Sequence, residues 1–289
     1  MTINRLCILG LICLMAYGCS QDGTESPEGS DENPKASSSS LEAITTSPEE
    51  PTPICTEADP GGCMKLGEGH ISRGEHVYAK QAFKTACEQS IPAGCGEFGK
   101  LLAQGFGGSA DPKGALDNYI IGCSGGHLAS CTFAGRLVSS QHLGESDAVA
   151  ALSFFRQSCP KSSENPHLLG CELLGLALMR GEAGVVDFIG AKSALEVACT
   201  GEMSGGCHHL GTLYRDGLGV EKNADRALQL HEKGCAGGTA EACASAGVML
   251  QRGLGVTQNL QRALPLLKQG CLGGNKIACA AEREVETSQ

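Results

Sequence analysis

The chain has 289 residues, a net charge of −10, 41 glycines, 17 cysteines and no tryptophan. Most of the negative charge lies in residues 20–60, where ten acidic side chains are offset by Lys35 alone. The remainder is close to neutral and carries no basic stripe, which argues against nucleic acid as a partner. Cysteines in this number suit an oxidising compartment better than a reducing cytosol.

Residues 1–18 place Arg5 before an apolar run from Leu6 to Ala16. This is the pattern of a secretory signal peptide, too short to span a bilayer as a helix. The ending Ala16-Tyr17-Gly18-Cys19 resembles the lipobox of bacterial lipoproteins, with Ala16 where that motif usually carries Leu. The resemblance implies that Cys19 is lipidated and becomes the first residue of the mature chain. Ser20 behind it resembles an outer-membrane sorting signal. The alternative is an ordinary signal followed by a coincidental cysteine. Residues 19–54 then read as the anchor and a disordered acidic tether. They are rich in Ser, Pro, Glu and Thr, with too little apolar surface to offset the entropy of ordering.

From Cys55 onward one pattern recurs. Cys87, Cys123, Cys159, Cys199, Cys235 and Cys271 are spaced by 36, 36, 40, 36 and 36 residues. Each is followed eight positions later by a second cysteine (Cys95, Cys131, Cys207, Cys243 and Cys279), except that Cys159 waits until Cys171. A fixed period of this length predicts a stacked array of helix pairs over residues 55–289. The predicted first helices carry Cys-x-x-Φ-Gly-x-x-Φ, as in Cys95, Phe98, Gly99 and Leu102 or Cys207, Leu210, Gly211 and Tyr214, which is one helical face. Glycine in mid-helix costs up to about 1 kcal/mol relative to alanine, so its recurrence predicts close backbone contact with the partner helix. The predicted second helices, counted back from the closing cysteine, carry Ala at −8 and a larger residue at −4: Phe83, Tyr119, Phe155, Leu195, His231 and Leu267. At −12 stand Asp111, Asp147, Asp187, Asn223 and Asn259, all good N-caps, with Glu75 in the first repeat. Gly105, Gly107, Gly217, Gly219, Gly253 and Gly255 suit left-handed turns between helices. The chain ends on a lone first-type helix, with Glu282 and Arg283 where other repeats place Φ and Gly, as a terminal cap requires.

The run Leu210-Gly211-x-x-Tyr214-x-x-Gly217-x-Gly219-Val220, followed by Ala227, resembles the Sel1-like repeat, a relative of the tetratricopeptide repeat. With one Cys-x7-Cys pair per unit, the chain is similar to the Helicobacter cysteine-rich protein family. The resemblance covers about 230 residues and implies an all-α solenoid of Sel1-like repeats with one disulfide per repeat. The implied pairs are Cys55–Cys63, Cys87–Cys95, Cys123–Cys131, Cys159–Cys171, Cys199–Cys207, Cys235–Cys243 and Cys271–Cys279. These use every cysteine of the mature chain once Cys19 is assigned to lipid. Zinc is the rival reading of the cysteines, but its ligands usually come as Cys-x2–4-Cys.

The same family resemblance implies penicillin binding or weak β-lactam hydrolysis, so an acylating serine must be sought. The one Ser-x-x-Lys is Ser158-Cys159-Pro160-Lys161, whose proline breaks the turn that would bring Lys161 to Ser158. The other serine β-lactamase motifs are absent from the sequence. His208 and His209 are adjacent and so point in different directions on a helix, which makes no metal site by itself. His231 stands at an apolar packing position and is expected to be half-buried and satisfied. Neither a cofactor nor a metal is expected, and the function predicted is non-enzymatic: a lipid-anchored adaptor of the cell envelope, in the periplasm or at the outer membrane, binding protein or peptide. First helices normally line the binding face of such arrays, so Arg136, His208, Tyr214 and Arg215 are the expected contact residues, facing outward. The alternative is a β-lactamase-like or peptidoglycan-binding hydrolase.

Overall fold

The computed structural model describes residues 60–144, 146–160, 165–184 and 186–287. The expected signal peptide and acidic tether, Cys19, Cys55 and Lys161 lie outside the described residues. Thirteen α-helices and one short 3-10 turn (Gln141–Leu143) account for the regular structure of the described residues. They are α1 (Pro60–Ser72), α2 (His76–Glu88), α3 (Pro92–Gln104), α4 (Pro112–Ser124), α5 (Leu128–Ser139), α6 (Ala148–Ser158) and α7 (Leu168–Arg180). They continue with α8 (Phe188–Thr200), α9 (Ser204–Asp216), α10 (Ala224–Ala236), α11 (Ala240–Arg252), α12 (Leu260–Leu272) and α13 (Lys276–Thr287). Each odd helix packs most closely on the even helix after it, and each even helix then packs on the next odd one. The product is six helix pairs and a final single helix, an α-solenoid within one compact unit.

The predicted start signals operate in five of the six second helices. Asp111, Asp147, Asp187, Asn223 and Asn259 each accept a hydrogen bond from the backbone N–H three residues on, at 2.8–2.9 Å. These bonds satisfy one of the orphan donors at each helix N-terminus. Glu75 is the exception: its carboxylate makes no cap bond. It instead meets His70 Nδ1 at 2.6 Å and Arg73 Nε at 2.9 Å, and these partners hold its pKa below the usual carboxylate value. Its longer side chain reaches backwards rather than folding onto its own helix. The turn glycines behave as expected; Gly217, with φ 73°, closes α9 in the left-handed region.

Packing within a repeat depends on one pairing. The residue at −4 of the second helix lies against the mid-helix glycine of the first. A Cβ built on Gly67 would come within 2.5 Å of the Phe83 ring, one on Gly99 within 3.0 Å of Tyr119, and one on Gly135 within 2.6 Å of Phe155. Gly175, Gly211 and Gly247 take Leu195, His231 and Leu267 in the same way. The −8 alanines (Ala79, Ala115, Ala151, Ala191, Ala227 and Ala263) are almost wholly buried beside them. The close backbone contact expected at these glycines is met in part, by the Ala115, Ala151 and Ala227 carbonyls at 3.0–3.2 Å from the built Cβ, but the approach common to all six is made by a side chain.

Six disulfides join each second helix to the next first helix: Cys87–Cys95, Cys123–Cys131, Cys159–Cys171, Cys199–Cys207, Cys235–Cys243 and Cys271–Cys279. The longer spacing at Cys159 is accommodated, with Cα atoms 4.9 Å apart against 4.4–4.7 Å in the others. Hydrogen bonds also cross between successive repeats beside the bridges. Lys233 Nζ donates to the Cys199 carbonyl at 2.8 Å, and Gln269 Nε2 donates to the Cys235 carbonyl at 3.0 Å. At the C-terminal end α13 buries Ala278, Ala281 and Val285. Its acidic residues reach back to the array: Glu284 accepts from Gln251 Nε2 at 3.0 Å, and Glu286 pairs with Lys268 at 3.0 Å.

Candidate functional site

The helix period fixes which side chains remain available once the packing positions are taken. Arg136, near the end of α5, is exposed and lines a groove with Lys100 and Gln104 of α3 and Phe133 and Leu137 of α5. The Phe133 ring lies 5.5 Å from that of Tyr119, which closes the groove from the α4 side. Burial, with Glu97 contributing, pushes the Tyr119 phenol up to about 12, so the ring presents a neutral hydroxyl.

His208 and Arg215, both on α9, line a second groove of about 570 Å³. His209 and Thr212 of α9, Glu241, Ser245 and Val248 of α11, and Asn275 and Ile277 complete its walls. Arg215 is not a free cation there. Its guanidinium donates twice to Asp216, from Nε at 2.8 Å and Nη2 at 2.7 Å, and that pairing lowers the Asp216 pKa.

Tyr214 departs from the expectation. It is half-buried and contributes to the apolar packing on both sides, touching the core of the central repeats and that of the C-terminal ones. Its remaining surface opens between the second helices, in a groove with Glu196 and Thr200 of α8 and Arg226, Gln229 and Lys233 of α10. Residues adjacent on a helix point about 100° apart, so Tyr214 and Arg215 serve different surfaces. The structure therefore brings His208 and Arg215 together, and places Arg136 and Tyr214 in separate grooves.

His231 requires a correction. It is 0% exposed rather than half-buried, and neither ring nitrogen has a hydrogen-bond partner among the described residues. The cause is its place in the repeat: the −4 residue is driven onto the mid-helix glycine, here Gly211, whatever its polarity. His208, one helical turn before Gly211, is thereby brought to 5.1 Å from the His231 ring, and His209 lies 5.0 Å from His208. In sequence His208 and His209 stand apart from His231; the signal for the trio is that −4 faces the glycine. Burial is the largest cause lowering the pKa of all three, to about 4 for His209 and about 3 for His231. Among the described residues no group of three or more His, Cys, Asp or Glu side chains is arranged to hold a metal ion.

Ser158, the serine of the Ser-x-x-Lys run, is 0% exposed, and its hydroxyl donates to the Phe155 carbonyl at 2.8 Å. Among the described residues two other fully buried hydroxyls pair with histidines, Ser130 with His127 at 2.8 Å and Thr132 with His167 at 2.7 Å. Both hydroxyl-bearing residues are 0% exposed; the first bond stays within the start of α5, the second ties α5 to the start of α7, and neither hydroxyl is open to a substrate.

The Sel1 repeat family model matches residues 204–239 and 240–275, which are the segments beginning with α9 and α11. A relative, Cytochrome c oxidase assembly factor 7 of Xenopus tropicalis, is 31% identical over 187 residues, covering 61% of this chain and 79% of that protein. The chain belongs to the Sel1-repeat family. Solved Sel1-type structures share its fold. A Sel1 repeat protein from Oxalobacter formigenes superposes with a TM-score of 0.68 at 20% identity, covering 75% of this chain and 84% of that one. The protective antigen c5321 of uropathogenic Escherichia coli gives 0.67 at 19% identity, covering 77% of this chain and 48% of that one. The Sel1 motif accounts for the packing glycines and alanines of this chain. The groove residues Arg136, His208 and Arg215 lie outside those packing positions.

Proposed function

We propose that this Sel1-repeat protein is an exported, lipid-anchored scaffold of the bacterial cell envelope that binds protein or peptide on the surface of its first helices. The observation that carries the reading is the pair of grooves along those helices, around Arg136 and around His208 and Arg215. Each combines apolar walls with a few polar groups not consumed by the packing, as a docking surface for an extended segment requires. One relative is named as an assembly factor, a role consistent with holding partners rather than transforming them. The signal-like N-terminus, the lipobox-like Cys19 and the bridges along the array support export to an oxidising compartment.

The experiment is a crosslinked capture from native envelopes with the oxidised, lipidated protein, alongside Arg136→Glu and Arg215→Glu variants of equal thermal stability. One or a few stoichiometric protein partners, lost from at least one variant, are expected. Retention of penicillin or muropeptides with no protein partner, or nitrocefin turnover above a heat-killed control, would overturn the scaffold reading.

A further inference from the structure

His231 stands where the neighbouring repeats carry Leu195 and Leu267, packed on the mid-helix glycine with no exposed surface. A neutral imidazole tolerates that site; an imidazolium, with no partner for either N–H, does not. The surrounding charges offer little relief. From α9 the ring meets His208, His209 and Arg215, all of which oppose its charge, against Asp216 alone in favour. From α11 Glu241 favours charge on His208 and His209, while Arg180 of α7 opposes it on His209. Two of the three histidines form part of the wall of the α9–α11 groove.

We propose that the His208–His209–His231 cluster makes the α9–α10 repeat an acid-sensitive segment, opening at mildly acidic pH while the repeats on either side stay closed and so disassembling the groove that α9 lines. The inference holds whether or not a partner docks there. An opened His231 titrates near 6.5, whereas burial in the closed repeat lowers it to about 3. Between those values the open segment takes up a proton that the closed one excludes. The stability supplied by the neutral ring is thus complete above about pH 6.5 and is lost progressively as pH falls toward 3. The flanking disulfides Cys199–Cys207 and Cys235–Cys243 limit the opening to a local event, because they keep α8 tied to α9 and α10 tied to α11.

The test is amide hydrogen exchange on the oxidised full chain, with opening constants corrected for the intrinsic pH dependence and compared at pH 7 and pH 5. His231 alone predicts a rise of roughly 20-fold in the α9–α10 opening constant across that interval. The α11–α12 amides, packed around Leu267, serve as the internal reference and are expected to change much less. His231→Leu, which installs the residue of the neighbouring repeats, is expected to leave the pH 7 value no higher and to remove most of the rise. An equal rise in α11–α12, or a full rise in the His231→Leu protein, would overturn the proposal. The comparison of segments within the unaltered chain decides the matter if the variant folds poorly.

Discussion

The Phe155 ring lies over Gly135 so closely that a Cβ on the glycine would come within 2.6 Å of it and within 3.2 Å of the Ala151 carbonyl. Neither neighbour can move easily, since Phe155 is 3% exposed and Ala151 is part of the α6 backbone. The same relation recurs in every helix pair, with the large residue changing from Phe to Tyr, Leu or His. A repeat of this kind is therefore specified less by its apolar residues than by where it leaves one out.

Gly135→Ala is expected to destabilise the array despite the better helix propensity of alanine. The propensity gain is about 1 kcal/mol, while overpacking a closed contact typically costs 1–3 kcal/mol. Paired with Phe155→Ala, the two changes should cost less together than the sum of each alone, because the truncated ring no longer meets the new methyl group. Urea denaturation of the single and double variants measures the coupling; strict additivity would mean that the contact is not the constraint.

The second helices offer a comparison of good and failed caps in one chain. Asp187→Ala removes the bond from the Gly190 N–H and is expected to cost about 1 kcal/mol. Glu75→Ala removes no cap bond, only a partly exposed pairing with His70 and Arg73, and is expected to change stability far less. Thermal melts of the two variants under identical oxidised conditions would show the difference as a clear drop for the first and little for the second.

The helix pairs, most of the caps and the packing alanines were legible in the sequence because each depends on a residue type repeated at a fixed spacing, while the pairing of the six described bridges was implied by the family resemblance. Glu75 was less so: position −12 identifies where a cap belongs, but not that a longer side chain would turn back to His70 and Arg73. Periodicity also identified His231 as a packing residue without revealing that both ring nitrogens would be left alone. That depends on what surrounds the ring in three dimensions, and only the distances show it. Tyr214 and Arg215 are neighbours in sequence and looked like one surface, yet the helical turn sends them to different grooves. The candidate site was therefore readable as a set of available residues, but not as the groups they form.

The bridge between Cys235 and Cys243 closes a loop of eight residues between α10 and α11. In the loop-entropy account such a link contributes about 2.5 kcal/mol. The double variant Cys235→Ser/Cys243→Ser is expected to lower the denaturation midpoint by a corresponding amount, in part because stability in such arrays depends on contacts between neighbours. It should also raise protease cleavage at the α10–α11 connection before the rest of the chain is attacked. A melt unchanged from the fully bridged protein would show that helix packing alone holds these two repeats together.

The last prediction concerns the N-terminal sequence rather than the repeats. If Cys19 carries lipid, the mature chain begins there, and the protein partitions into detergent and sediments with membranes. Cys19→Ala should move it to the soluble exported fraction while leaving the bridges of the array intact, because Cys19 has no part in the implied pairing. Mass spectrometry of the N-terminal peptide checks both points at once, through the acyl mass on Cys19 and the loss of residues 1–18. An unacylated N-terminus that still begins after an exported signal would favour the coincidental cysteine. The array would then be a soluble exported scaffold, and Cys19 would be left as the one mature cysteine outside the implied pairs.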